Sequence, residues 1–205
     1  MKYKIIVIVQ ARLGSTRYPG KILEKLGKKT IIETIVKRLS KSKLIDKIIV
    51  ATTNNSKDKK LINLLKKKKI TFYKGDEKNV LSRYFSLAKK FKPTHIVRVC
   101  GDCPFSDYKI LDKMINFIKT NQYDYVSNTN PPTFPDGFDL EIFSYKSLVE
   151  AKKKANNNFD KEHVTPYIIR NTKNSFNLTL KKDYSKYRLT IDEPRDLDVI
   201  KNTFE

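Results

Sequence analysis

Two cysteines in 205 residues cannot build a disulfide scaffold. No apolar stretch approaches the ~18 residues that span a bilayer, so no membrane segment is expected. Arginine is scarce, with only 8 of the 43 basic residues against 35 lysines. Arginine is the usual reader of phosphate forks and base edges. A formal charge of +21 carried mostly by lysine therefore does not by itself indicate a specific nucleic-acid binder. The lysines are spread through every segment, with one dense run at Lys66–Lys69. A run closing a helix suits the helix dipole, and a diffuse basic surface binds polyanions only non-specifically. The start, Lys2-Tyr3-Lys4 then Ile5 to Val9, imitates a signal peptide. Its apolar run stops at Gln10 and Arg12, too short for the apolar region of a leader, which implies a buried strand in a cytoplasmic protein.

What is present is an alternation of strand and helix. Apolar runs recur along the chain, which excludes wholesale disorder. Lys4–Val9 is a β-branched run typical of a strand buried on both faces. Thr30-Ile-Ile-Glu33 fits a capping box opening a helix to Leu39. The pattern then predicts a strand at Lys47–Ala51 and a helix capped by Ser56 carrying Leu61, Leu64 and Leu65. A strand at Ile70–Tyr73, a helix over Glu77–Phe91 and a strand at Thr94–Cys100 follow. A helix from Ser106 or Asp107 through Ile118 and a strand at Asp124–Ser127 continue the series. After a proline- and glycine-rich loop at 130–137, strands are predicted at Asp139–Phe143, Phe176–Leu180 and Tyr187–Ile191. Helices are predicted at Ser147–Ala155, Asp160–Arg170 and from Pro194. No internal repeat and no long linker interrupts this order, so residues 1–205 are expected to form one domain. The expected fold is a three-layer α/β/α, mostly parallel, Rossmann-like sheet with a small β-containing insertion. Such sheets bind ligands at the carboxyl ends of their strands.

The first strand leads into Gln10-Ala-Arg-Leu-Gly-Ser-Thr-Arg-Tyr-Pro-Gly-Lys21. Two glycines, two hydroxyls and three cations in one loop suit a polyphosphate, the alternative being an ordinary basic surface loop. It is not a Walker A loop, because Gly14 and Gly20 are one residue too far apart and Ile22 stands where a magnesium-binding hydroxyl belongs. The dinucleotide pattern is absent as well. Arg98-Val-Cys-Gly-Asp102-Cys-Pro104 places a carboxylate in a turn at a strand tip, either a plain turn or a Mg²⁺ ligand. Cys100 and Cys103 lack the further ligands of a structural zinc site. Asp192 also ends a predicted strand, and with Asp102 it could share metal ions. Pro135–Glu141 adds carboxylates that belong to a solvated turn or to a substrate wall. His163 is a candidate general base or a structural histidine.

In this order, these segments, with Val80-Leu-Ser-Arg83, Glu162-His-Val-Thr-Pro166 and Leu189-Thr-Ile-Asp192-Glu-Pro194, resemble the nucleotidyltransferases related to CMP-3-deoxy-manno-octulosonate synthetase. Within that family the chain resembles the spore-coat polysaccharide biosynthesis protein F branch. Asn79 stands where the family often has an acidic residue. The resemblance implies that CTP and an acidic sugar give a CMP-sugar and pyrophosphate with Mg²⁺, and it leaves room for a homodimer. By analogy Arg12, Lys21, Asp102 and Asp192 carry catalysis, with Asp102 and Asp192 as metal ligands. Gln10, Ala11, Arg12, Gly14, Ser15, Thr16, Arg17, Lys21, Arg83 and Gly101 contact the nucleotide. Asp136, Gly137, Asp139, Glu141 and His163 face the acceptor. A small phosphorylated or carboxylated acceptor is the mechanistic neighbour of this reading. A nucleotide-sugar glycosyltransferase would usually carry Asp-x-Asp, and Asp102-Cys-Pro104 is not that motif. A polyanion-binding protein is the reading that charge alone suggests.

Overall fold

The computed structural model describes residues 3–204, so Lys2 of the leader-like start lies outside the described residues. Its centre is a seven-stranded sheet. In chain order the strands and helices are β1 (Ile5–Gln10), a hairpin of β2 (Lys25–Leu26) and β3 (Lys29–Thr30), α1 (Ile31–Leu39), β4 (Lys47–Thr53) and α2 (Lys59–Lys67). Next come β5 (Phe72–Gly75), α3 (Val80–Phe91), β6 (His95–Cys100), α4 (Tyr108–Asn121), β7 (Tyr125–Ser127) and β8 (Glu141–Ser144). The chain finishes with α5 (Tyr145–Lys154), α6 (Asn158–His163), α7 (Pro166–Asn171), β9 (Ser175–Asn177) and α8 (Pro194–Phe204). The sheet order is β5-β4-β1-β6-β8-β7-β9, and only β8 runs antiparallel to its neighbours.

β1 explains the layering. Its side chains alternate between faces, so Ile5, Val7 and Val9 pack beneath α1, α2, α4 and α8, while Ile6 and Ile8 meet α3, α5 and α7. Both sets are buried, which is why the strand reads as an unbroken apolar run. The capping box predicted for α1 is formed: the Thr30 hydroxyl accepts the Glu33 amide, and the Glu33 carboxylate accepts the Thr30 amide.

The strands expected at Ile70–Tyr73, Asp139–Phe143 and Phe176–Leu180 are shifted to β5, β8 and a shorter β9, and four further elements differ from the sequence expectation for local reasons. α3 begins at Val80, because Asp76 takes the amides of Lys78 and Asn79 in a turn and Asn79 caps Ser82. The 3₁₀ turn before α2 is capped by Asn55 rather than by Ser56. The helix expected over Asp160–Arg170 is two helices, broken at Val164, where φ is 72°. Pro166 opens α7 at its first position, where the missing N–H costs no helix bond, so the proline starts a new helix rather than continuing α6. The strand expected at Tyr187–Ile191 is irregular: its one ladder pairing is the bridge between Arg188 and Asp136, and bends at Tyr187 and Thr190 keep it out of the sheet. Tyr187 is half exposed, so only Leu189, partly buried, and Ile191 anchor this segment to the core. Among the described residues no helix is long and apolar enough to cross a membrane.

Candidate active site

The carboxyl ends of β1, β4 and β6 meet at one place. The Gly101 amide donates to the Gln10 carbonyl at 2.8 Å, and a Cβ at Gly101 would lie 2.7 Å from that oxygen. Only glycine lets the tip of β6 close against β1. One turn further, the Asp102 carbonyl accepts the Ile191 amide at 2.9 Å and the Thr190 hydroxyl at 3.3 Å. These bonds bring together Asp102 and Asp192, 90 residues apart in the chain, by backbone pairing that sequence periodicity does not reveal.

Lys21 sits between them with its side chain 9% exposed. Its ammonium donates to Asp102 Oδ2 at 2.8 Å, Asp192 Oδ1 at 3.2 Å and the Ile191 carbonyl at 2.5 Å. An ammonium has three protons, so Lys21 is saturated. Arg17 adds a second cation to Asp192 Oδ1 at 2.9 Å, and Arg188 lies 3.6 Å from Asp192 Oδ2. Asp196 fixes the backbone on which Asp192 rides, since its Oδ2 accepts the amides of Asp192 and Glu193 and an Arg188 nitrogen. Burial pushes the Asp196 carboxyl up, but those amides and Arg188 outweigh it and hold it below the ordinary range.

In front of Lys21 lies a cavity of about 300 Å³. Its wall is the loop from Gln10 to Arg17 apart from Leu13 and Gly14, and its floor is Lys21, Gly101, Asp102 and Asp192. The structure therefore gathers the sequence-predicted phosphate-loop residues Gln10, Ala11, Arg12, Ser15, Thr16 and Arg17 around one space. Gly14 and Arg83 stand outside that lining. Arg83 is 2% exposed, and its Nε and Nη1 have no hydrogen-bond partner. The Gln10 side-chain oxygen is buried and unpartnered too. Glu77, read from the sequence only as the start of a helix, accepts from Asn55 at 2.8 Å and approaches Arg12 at 3.8 Å.

The acceptor-facing set divides. Asp136 is raised by burial first and then by Asp192, and Asp139 is pushed up to about 6 by burial with Asp136 and Glu141 beside it. Gly137 serves packing: a Cβ there would lie 2.5 Å from the Leu189 carbonyl. Glu141 is 6% exposed and engaged at both oxygens, with Arg98 Nη1 on one and the Tyr125 hydroxyl, at 2.7 Å, on the other. His163 is exposed on α6 against Phe159 and does not line the cavity. Burial pushes the Cys100 thiol up to about 11 and Cys103 well above its ordinary value, so both stay protonated.

With this geometry in hand, the likeness to known proteins is informative. The sequence profile of the cytidylyltransferase family matches residues 6–203. The chain is 39% identical to an uncharacterised protein of Methanocaldococcus jannaschii, over 94% of this chain and 80% of the other. It is 32% identical to the spore coat polysaccharide biosynthesis protein SpsF of Bacillus subtilis, over 98% of this chain and 86% of the other. A solved cytidylyltransferase from Leptospira borgpetersenii superposes with a TM-score of 0.93 at 36% identity, covering 98% of this chain and 86% of that one. CMP:2-keto-3-deoxy-manno-octonic acid synthetase, solved with CTP, shares the fold with a TM-score of 0.76 at 12% identity over 98% of each chain. The chain belongs to the cytidylyltransferase family and is a nucleotidyltransferase.

Proposed function

We propose that this enzyme transfers CMP from CTP to a hydroxyl of an acidic sugar, with Mg²⁺, and supplies surface-polysaccharide assembly. The observation that carries the reading is Lys21, held by two strand-tip carboxylates on the floor of a cavity walled by a loop rich in cations and hydroxyls. Phosphoryl transfer asks a protein for positioning and charge neutralisation more than for a nucleophile. The acceptor oxygen forms a bond to the α-phosphorus as the bond to the bridging oxygen of pyrophosphate breaks, and the hydroxyl proton is released. Arg12, Arg17 and Lys21 neutralise the triphosphate. For Lys21 this means exchanging one carboxylate partner for a phosphate oxygen.

CTP as the donor is supported by a buried, unpartnered group in the cavity wall. Cytosine offers an amino donor beside two acceptors. The Gln10 oxygen, in that wall, is a free acceptor for the amino group. Uracil would present a carbonyl and an N–H in the opposite order. The donor set also suits Mg²⁺. Asp102 and Asp192 both point at the Lys21 ammonium, and Mg²⁺ takes one or two carboxylates with substrate phosphates. Among the described residues no three acidic, histidine or cysteine groups converge as an all-protein cage. Asp102 and Asp192 would hold the ion, which would supply charge stabilisation for the α-phosphate and the leaving pyrophosphate.

The test is pyrophosphate release from each NTP with Mg²⁺ and a panel of sugars bearing carboxylates. Release with CTP and an acidic sugar is expected. No release with any pairing would sink the reading, and release only with a small phosphorylated alcohol would move the acceptor class.

A further inference from the structure

The carboxylate of Asp58 is 1% exposed, yet no cation lies within ion-pair distance of it among the described residues. A buried charge without a counter-charge is costly unless hydrogen bonds saturate it. Here they do. Oδ2 accepts the Thr53 amide at 3.1 Å, the Thr53 hydroxyl at 2.5 Å and the Thr52 hydroxyl at 2.9 Å, all at the tip of β4. Oδ1 accepts the Leu13 amide at 2.7 Å, 45 residues away in the phosphate loop.

These bonds are not helix capping. Asp58 precedes α2 but its side chain makes no cap bond there, and Asn55 caps the preceding 3₁₀ turn. Every group that reaches the carboxylate is a donor, two of them backbone amides on opposite oxygens, so an amide side chain cannot satisfy both. A negative charge beside a loop meant for anions is electrostatically unfavourable for binding; it acts on the buried Arg83 only beyond ion-pair distance, while its direct bonds join the loop to β4 and point to a mechanical role.

The mechanics run through Leu13. Its amide is held by Asp58, and its carbonyl accepts the Gly20 amide at 2.9 Å. Residues 14–19 thus form an arch that opens and closes on one clamped residue. Ser15, Thr16 and Arg17 in that arch line the cavity, and Lys21 follows Gly20 directly. We propose that Asp58 is a positioning residue: its carboxylate pins the base of the phosphate loop to the tip of β4 and so sets where the loop amides, Arg17 and Lys21 meet the triphosphate. This rests on the nucleotide-binding role proposed above for the loop.

The experiment compares full-length wild type, Asp58→Asn and Thr52→Val, well below each melting temperature. For Asp58→Asn, CTP affinity is expected to fall about tenfold and the KM for CTP to rise in step, while CMP affinity changes less than about twofold. CMP lacks the phosphates that the arch holds. Thr52→Val removes one bond to the carboxylate but leaves Leu13 clamped, so it should lower the melting temperature and spare CTP affinity. An Asp58→Asn protein that melts lower but binds CTP as wild type does would overturn the proposal, since the carboxylate would then be structural only. A second measurement needs no variant. In the wild-type enzyme, the Leu13 and Gly20 amides should already resist hydrogen exchange without ligand, while the amides of residues 14–18 gain protection when CTP binds. Free exchange at Leu13 equal to that of the arch would overturn it as well. Failure of the wild type to bind CTP at all would instead overturn the nucleotide reading, and this proposal with it.

Discussion

β6 ends in two charge clusters only four residues apart in sequence, and they are built for opposite purposes. Around Asp102, charges converge on a space: Lys21, Asp102 and Asp192 meet at the floor of a cavity, with Arg17 beside them. Around Arg98, charges converge on each other: Arg98 and Tyr125 take both oxygens of Glu141 across three neighbouring strands. The Glu141 side chain is 8% exposed and that of Asp102 is 27% exposed. A closed network whose carboxylate is engaged at both oxygens specifies packing, even with Arg98 Nε left unpartnered, whereas a network that a substrate can enter and rearrange specifies chemistry. Three carboxylates that share the family's sequence pattern are therefore predicted to behave differently when altered.

The largest effect is expected at Asp102. Asp102→Asn removes one of the two carboxylates proposed to hold Mg²⁺ and loosens Lys21. Turnover should fall by about 10³-fold, while the melting temperature moves by only a few degrees. Steady-state pyrophosphate release and thermal denaturation of the same preparation measure both quantities. Near-normal turnover would show that the open cluster is not the reaction centre.

Glu141→Gln should reverse that pattern. It leaves Arg98 buried beside a neutral amide, and breaking a buried pair is strongly destabilising. The conservative amide retains part of the bonding, so a loss of about 2 kcal/mol is expected, or roughly 4–8 °C in melting temperature for a chain of this size. Activity below the transition should stay within a few-fold of wild type. A selective rise in the acceptor KM would instead return Glu141 to the acceptor wall that the family resemblance implies.

The contrast between the clusters also marks what the sequence could reveal. β1, the Thr30–Glu33 capping box, the loop that walls the cavity and the tip of β6 were legible because each is written in adjacent residues: a β-branched run, a four-residue cap, a dense set of cations and glycines, a turn after a strand. The pairings were not. Nothing local says that Arg98 meets Glu141, 43 residues later, on an antiparallel strand inserted between β6 and β7. Nor does a threonine pair at the end of β4 announce that Asp58 will reach back to Leu13. The bridge of Arg188 to Asp136 replaced an expected strand because the partner was a loop, which leaves no periodicity to detect.

A smaller, pH-dependent effect should appear at Asp139, which lies between the two clusters and is influenced by Asp136, Glu141, Arg98 and Asp102. Its folded-state value of about 6 stands above the ordinary 3.8, chiefly through burial. A carboxyl raised on folding binds its proton more tightly in the native state. Its stabilising contribution is complete below about pH 4 and is lost as the pH rises through about 6. Asp139→Asn removes that loss. The variant should melt a few degrees above wild type at pH 7.5 and nearly level with it at pH 4. A difference that grows toward acid would reverse the sign and place Asp139 in a salt bridge instead.

The smallest effect is expected at His163, the residue whose chemistry made it the most tempting general base. It is exposed, packs on Phe159 with ring centroids 4.5 Å apart, and lies outside the cavity that holds Lys21 and the two aspartates. A base must reach the proton it removes within hydrogen-bond distance or through one water. His163→Ala is therefore expected to leave kcat and both KM values within about twofold, and to leave the acid limb of the pH–rate profile in place. The comparison sharpens if that limb persists. A kcat that collapsed in His163→Ala would carry the histidine into the site by a closure of α6, and a limb unchanged in that variant but shifted in Asp139→Asn would assign it to the carboxylate wall.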